Sequence, residues 1–414
     1  MTSARPAAPS ASTWTGVFVG IGITFVAFVA YVCACWDLSA GRLFTSERPD
    51  FFYLADAFLH GRTWLDRALG PVDVISIDGR VYVPFAPFPA LALVPLVAAV
   101  GPVVAASWEP LVNAGLAAAS VGLCWALLGR LGVLGSGPRF WLTFLFGFST
   151  AILWVTTRGG VWHTGQLLAT VLTLLALLES FGRRRPLVLG VLAGAAFLCR
   201  APLLLALPFY AWAVLPRPGD PGWLGGRHPS PGGRWAVLAL AFAPALAIAL
   251  WYNAVRFGSP LESGYALASL PAFLEAHRAK GLFSLAHLPM NLDYFLLHVP
   301  RIEAAFPFLR PDGFGMSVLI TSPGLLGAFL ADWRDRRSWA LAITATLVLV
   351  PSLLYYGGGW LQYGYRYFLD SLPFVIALCG LAASRRGVGR IWKAFITAGL
   401  IVNLIGIHWA HNLG

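Results

Sequence analysis

Charge is scarce in this sequence and concentrated in one stretch. Only 11% of the 414 residues are charged and 58% are hydrophobic. Residues 37 to 87 nevertheless gather Asp37, Arg42, Glu47, Arg48, Asp50, Asp56, Arg62, Asp66, Arg67, Asp73, Asp78 and Arg80. From Pro49 onward the apolar positions 51, 54, 55, 58 and 59 recur at helical spacing, and Gly61 supplies a stop. Asp50 therefore stands at the head of an amphipathic helix, where the helix dipole favours an ionised carboxylate. Such a group, held by rigid structure, can take a proton from an incoming hydroxyl. Glu47 is the second candidate for that task, and capping the helix is the structural role open to Asp50.

The counterpart is positive charge able to hold an anion. Arg200 interrupts two short apolar runs, residues 187 to 198 and 201 to 215, with no acid near it in sequence. Arg366 precedes Asp370 by four residues, so the two can pair along one helix face. Arg256 and His163 also stand at the ends of apolar runs. Arg80 and Tyr82 open a stretch that Pro84, Pro87 and Pro89 stiffen against helix formation. A charge at the centre of a membrane span costs roughly 2.5 to 3.5 kcal/mol on insertion scales, so it marks function or pairing, or snorkels to the interface. Arginine suits phosphate because its forked donors match that group's oxygens.

The elements that must position these side chains are transmembrane helices. About 20 apolar residues cross a hydrocarbon core of roughly 30 Å, and the chain offers candidate spans at 14–36, 88–106, 110–129, 140–156, 164–182, 187–198, 201–215, 236–252, 317–331, 339–356, 367–383 and 392–409. The expected fold is an all-α polytopic bundle of about eleven spans, with amphipathic surface helices in a first outer loop at 37–87. Residues 88–106, interrupted by Gly101 and Pro102, are the run expected to dip in and return. The formal charge of +11 sits in short basic connections, including Arg130, Arg139, Arg183 to Arg185, Arg334 to Arg337 and Arg385 to Lys393. That placement is a topology signal and not a nucleic-acid footprint. A Pro- and Gly-rich linker at 216–235 divides an N-terminal half, 1–215, from a C-terminal half, 236–414, with its own outer loop at 253–316. Residues 14–36 have the length of an uncleaved anchor. Five cysteines show neither a disulfide framework nor metal spacing. No cofactor or metal is expected, a divalent cation being possible but not indicated.

The order of these patches resembles the GT-C superfamily of polytopic membrane glycosyltransferases, in particular bacterial relatives of the protein mannosyltransferase and aminoarabinose transferase group. The resemblance is carried by an acid before Tyr53-Leu54-Ala55-Asp56-Ala57-Phe58-Leu59-His60-Gly61, by Tyr82 to Pro89, by the basic turn Cys199-Arg200-Ala201-Pro202, and by Tyr365-Arg366-Tyr367 with Leu372-Pro373. Where the family commonly has adjacent acids, this chain has Glu47 and Asp50 separated by Arg48 and Pro49. The resemblance implies an inverting transfer of a sugar from a polyprenyl-phosphate donor to a lipid, glycan or protein acceptor, at the outer face of a bacterial inner membrane. Asp50 or Glu47 would be the base, with Arg200, Arg366, Arg256, His163, Tyr82 and Arg80 contacting donor phosphate or sugar. Membrane lipids are the other expected partners, and nucleic acid is not one. A lipid transporter or a noncatalytic envelope component are the alternatives. Convergence of Asp50, Arg200 and Arg366 on one cavity separates the transferase from both.

Overall fold

The computed structural model describes residues 11–37, 40–46, 48–216 and 230–412. Glu47 and most of the linker 216–235 lie outside the described residues. The chain is predominantly helical. Helices α1 (Ala11–Ala34) and α2 (Asp50–Leu59) are followed by α3 (Phe88–Val100), α4 (Pro102–Ser107), α5 (Glu109–Arg130), α6 (Ser136–Phe148), α7 (Ile152–Arg158), α8 (Val161–Ser180) and α9 (Pro186–Phe197). After a 3-10 segment, Ala201–Ala206, come α10 (Leu207–Ala213), α11 (Pro231–Phe257), α12 (Ala272–Arg278), α13 (Leu288–Leu292) and α14 (Val318–Thr321). A second 3-10 segment, Pro323–Leu330, leads to α15 (Arg336–Leu354), and a third, Arg366–Asp370, to α16 (Leu372–Arg386) and α17 (Arg390–Asn412). Three short antiparallel hairpins depart from the all-α expectation: β1 (Trp36–Asp37) with β2 (Arg42–Leu43), β3 (Ile75–Ile77) with β4 (Arg80–Tyr82), and β5 (Arg301–Ile302) with β6 (Leu309–Arg310).

Among the described residues, seven helical segments are long and apolar enough to cross a membrane: Gly16–Ala34, Glu109–Arg130, Ser136–Arg158, Val161–Ser180, Pro231–Phe257, Arg336–Leu354 and Arg390–Asn412. Local sequence sets their ends. Pro110 in the first turn and Arg130 in the last suit the two poles of α5. Ser230 caps α11 by accepting from the Gly233 N–H, and Asp335 caps α15 by accepting from that of Arg337. The short runs around Arg200 break there, as their lengths anticipate: Arg200 is extended between α9 and the 3-10 segment.

The bundle has two chemically distinct ends. At one, Arg184 donates to the Leu215 carbonyl, Arg234 to that of Val214, and Arg385 pairs with Asp332. At the other, the Val161 N–H donates to the Arg48 carbonyl, Arg256 to that of Val83, and His411 meets that of Ala34. α1 and α5 run antiparallel between these ends. They approach closely at Gly122, where a Cβ would overlap Thr24 Oγ1. α3 starts where Phe88 donates to the Leu198 carbonyl, and α5 starts where Glu109 accepts from the Gly160 N–H. Between them the chain turns at Gly101 (φ 79°), so α3 and α4 leave and return at the same end. α2 packs on both through Phe51, Phe52, Leu54 and Ala55, which share a buried cluster with Ala90, Leu93 and Ala105.

The close approach at Gly122 yields a packing prediction. Gly122→Val should push α1 away from α5 and lower the thermal midpoint in detergent, the overpacking costing about 1 to 3 kcal/mol. Gly115→Ala, where an added Cβ meets nothing within 4 Å, should leave the midpoint unchanged. Equal midpoints for the two variants would show that α1 and α5 do not touch there.

Candidate active site

At the second end of the bundle a cavity of about 1180 Å³ opens between both halves of the chain. Its arginines are Arg42, Arg48, Arg158, Arg200, Arg256 and Arg366, and its carboxylates are Asp37 and Asp73. Trp162, Trp360, Tyr252, Tyr265, Tyr355, Tyr356 and Tyr367 supply aromatic walls. One flank is apolar and is formed by Phe197, Leu198, Ala201, Leu204, Leu205 and Ala249.

The loop side of the cavity is built on buried acids that do not themselves enter it. Glu109 accepts from Ser46 Oγ at 2.7 Å and from the Gly160 N–H at 3.0 Å. It thereby ties the charged loop to the start of α8, whose Val161 N–H donates to the Arg48 carbonyl. Asp50 is completely buried, and both its oxygens accept from Arg48: Nε to Oδ2 and Nη2 to Oδ1, each at 2.9 Å. The same guanidinium donates to the Val72 carbonyl at 2.5 Å and lies 5.1 Å from the Trp162 ring centre. Asp50 is therefore a charge partner for Arg48 and does not line the cavity, which corrects the expected placement of this carboxylate at the mouth of the site.

Asp73, unlike Asp50, lines the cavity. It is half-buried and accepts from Trp162 Nε1 at 2.7 Å. Its backbone is left-handed (φ 55°), a conformation aspartate tolerates better than most residues. Segment 253–316 holds it there: the Asp73 N–H donates to the Ser269 carbonyl, and the Ser269 N–H to that of Val74. Burial pushes the Asp73 carboxyl above its ordinary range, against the opposing pull of the Trp162 N–H and the Arg48 and Arg366 guanidiniums. Burial likewise raises the Tyr265 phenol.

The arginines differ in how they are satisfied. Arg200 pairs with Asp370 at 2.9 Å, 170 residues away in sequence. Arg256 donates to the Tyr252 and Val83 carbonyls and to Asn253 Oδ1. Arg366 is buried, 6% exposed, with Asp370 already taken by Arg200. Its guanidinium lies 4.9 Å from the Tyr367 ring centre, and its Nε has no hydrogen-bond partner. Among the described residues no carboxylate pairs with it. Its backbone is fixed by Gln362 Oε1 and Gln166 Nε2. His163 lines the cavity beside it, with Nδ1 on the Gly159 carbonyl and Nε2 unpartnered.

Of the residues singled out in sequence, His163, Arg200, Arg256 and Arg366 therefore meet at one cavity. Arg80 and Tyr82 do not line it. Arg80 is exposed and stacks 4.2 Å from the Trp64 ring centre, while Tyr82 is buried against Phe257. Asp73, Arg48 and Trp162 are the functional candidates that sequence reasoning passed over. A signal existed for Asp73, an isolated acid between Val72 and Val74 in an apolar run, where a charge is unfavourable without a partner. Among the described residues no three His, Cys, Asp or Glu side chains gather to hold a metal ion.

No protein-family profile matches the sequence, and no curated protein matches it. Among solved structures, the chain is similar to an oligosaccharyltransferase of Archaeoglobus fulgidus. The apo form has a TM-score of 0.45 at 14% identity, over 97% of this chain and 56% of that one. The same enzyme tethered to an acceptor peptide containing the NVT sequon has a TM-score of 0.43, also at 14% identity and with the same coverage. This chain thus spans a little over half the length of that enzyme.

The buried Arg48–Asp50 pair yields a stability prediction. Asp50→Ala leaves Arg48 buried without its counter-charge, a loss of about 3 to 5 kcal/mol. Asp50→Ala should therefore unfold at markedly lower denaturant concentration, and the double variant Arg48→Met with Asp50→Ala should recover part of the loss. An Asp50→Ala protein as stable as wild type would remove the pair from this structural role.

Proposed function

We propose that the chain is a membrane glycosyltransferase of the GT-C type, moving a sugar from a polyprenyl-phosphate donor to an acceptor hydroxyl. The observation that carries this reading is Arg366: a buried guanidinium without a carboxylate partner among the described residues, facing the same cavity as a half-buried carboxylate. A buried cation is unfavourable unless something compensates it, and a phosphate would do so with charge-assisted hydrogen bonds. Arg200 and His163 stand beside it, and the apolar flank from Phe197 to Ala249 offers a path for a prenyl chain.

In this reading Asp73, rather than Asp50, takes the proton from the acceptor hydroxyl as its oxygen attacks the sugar's anomeric carbon. The bond from that carbon to the phosphate oxygen breaks on the opposite face, inverting the centre. The leaving phosphate departs as an anion held by Arg366 and Arg200, so no general acid is needed. Trp162 fixes one Asp73 oxygen and leaves the other to the acceptor. Asp50 acts at one remove, positioning Arg48 and through it the Val72–Asp73 turn.

The reading also assigns sides. α1, α5, α6 with α7, α8, α9, the 201–213 segment, α11, the 318–330 segment, α15, the 366–386 segment and α17 would make about eleven crossings. The basic end would be cytoplasmic and the cavity outside. The α3–α4 pair, which returns to the end it left, removes the extra crossing that residues 88–106 would otherwise add.

The test is incubation of purified full-length protein with a panel of polyprenyl-phosphate sugars, with mass spectrometry for release of the lipid phosphate. Asp73→Asn should lower turnover about 100- to 10,000-fold with donor affinity retained, and Arg366→Ala should weaken donor binding, with Lys restoring only part. Because a base must be deprotonated and burial raises the Asp73 carboxyl, activity should fall as pH drops through a value above the usual carboxylate range of about 4. Full activity in Asp73→Asn would sink the base assignment. Release of no lipid phosphate from any donor would sink the transferase reading.

Sidedness is checked separately. Cysteines replacing His60 and Lys280, one at a time in a cysteine-free background, should react with an impermeant thiol reagent in intact cells, and cysteines replacing Arg183 and Arg336 only after membrane disruption. The reverse pattern would place the cavity on the cytoplasmic side.

A further inference from the structure

A second cavity, of about 1000 Å³, lies between α1 and α5, reaches Arg130 and Arg139 at the basic end, and shares no lining residue with the site above. Its floor is made of small residues, among them Gly20, Gly115 and Gly122. Both helices belong to the segments long and apolar enough to span a membrane, and Val17, Ile21 and Phe25 leave α1 largely uncovered beside the groove. Small residues alone would serve helix packing, but two further features point to a ligand. Trp125 is 5% exposed and its indole N–H, on the ring edge facing Gly20, has no hydrogen-bond partner. Arg130 and Arg139 line the end of the groove, and Arg139 lies 3.9 Å from the Trp125 ring centre while donating to the Trp125 carbonyl. Among the described residues neither arginine has a carboxylate partner.

The geometry points to a phospholipid with an anionic headgroup as the occupant, one acyl chain along the glycine floor and the phosphate on Arg130 and Arg139. Basic pockets between transmembrane helices at the end that carries the topology arginines recognise such headgroups. An apolar chain in the groove covers surface that otherwise faces only fluid lipid. An apolar partner helix fits less well, because it would leave the two arginines without an anion and would meet the bulky Phe25.

The test uses full-length protein in nanodiscs of phosphatidylcholine doped with a trace of phosphatidylglycerol carrying a diazirine on its acyl chain. Illumination and peptide mapping should place the label on residues 16–28 and 115–130. Gly115→Leu fills the floor where an added Cβ meets nothing within 4 Å, so it should abolish that label while leaving the thermal midpoint intact. Arg130→Gln should reduce the label about fivefold, the effect of one basic residue near an anionic surface, and an equally labelled phosphatidylcholine probe should mark the site no better than this variant does. Equal labelling by the two lipids, or labelling that both substitutions leave unchanged, overturns the proposal. Self-association that Gly115→Leu abolishes without any dependence on headgroup charge would instead assign the groove to a second transmembrane helix.

Discussion

The guanidinium of Arg48 joins three parts of the chain that are remote in sequence, and the loop side of the large cavity depends on that junction. It donates to both oxygens of Asp50 at the head of α2 and to the Val72 carbonyl, and lies against Trp162 at the start of α8. Only arginine has the planar fork and the spare donors to do all three. Gly70 reinforces the point, since a Cβ there would come within 2.9 Å of the Arg48 side chain. Through Val72 the junction sets the turn that presents Asp73, and through Trp162 it sets the N–H that holds one Asp73 oxygen. The acid that was conspicuous in the sequence is thus two links away from the acid that meets the cavity.

A similar division of labour governs the arginines. Asp370 has two arginine neighbours to choose from, Arg366 four residues earlier and Arg200 on another segment, and it pairs with Arg200. The 3-10 geometry of Arg366–Asp370 is the physical reason: three residues per turn, not 3.6, moves position i+4 off the face of position i. Arg200 is neutralised and Arg366 is not. The cavity therefore holds, beside the carboxylate-paired Arg200, a buried Arg366 with no carboxylate partner among the described residues, and that second cation gives an anion a reason to bind.

The long apolar helices, the break at Arg200, the helix after Pro49 and the isolated positions of Arg200, Arg256, Arg366 and His163, which line one cavity, were legible in the sequence, because apolar run length and isolated charge are local signals. The partners were not. Nothing local says that Asp50 faces its neighbour Arg48 rather than solvent, since a two-residue separation places them together only when the chain turns at Pro49 before α2. Arg200 and Asp370 are 170 residues apart, a distance at which one sequence carries no pairing information. The hairpin of β3 and β4 escaped for a different reason. Its turn at Asp78-Gly79 is a strong hairpin signal, but the prolines that follow drew attention to stiffness instead. Arg80 and Tyr82, two residues apart on β4, share one face of the hairpin, where Arg80 lies at the exposed turn end over Trp64 and Tyr82 is buried against Phe257.

The division into halves also changes meaning once Asp73 is located. If the first outer loop stood alone, residues 37–87 would suffice to fix its acids. Asp73 instead adopts a left-handed backbone, which costs an L-residue roughly 1 to 2 kcal/mol, and the hydrogen bonds that hold it come from Ser269 in the second half. Ser269 Oγ adds contacts to the Pro71 and Val74 carbonyls on either side. The turn is therefore completed by segment 253–316, whose Tyr265 also lines the cavity. A carboxylate whose backbone is pinned by a segment of the second half keeps its place in the cavity only through contacts from both halves, so both contribute to this one cavity.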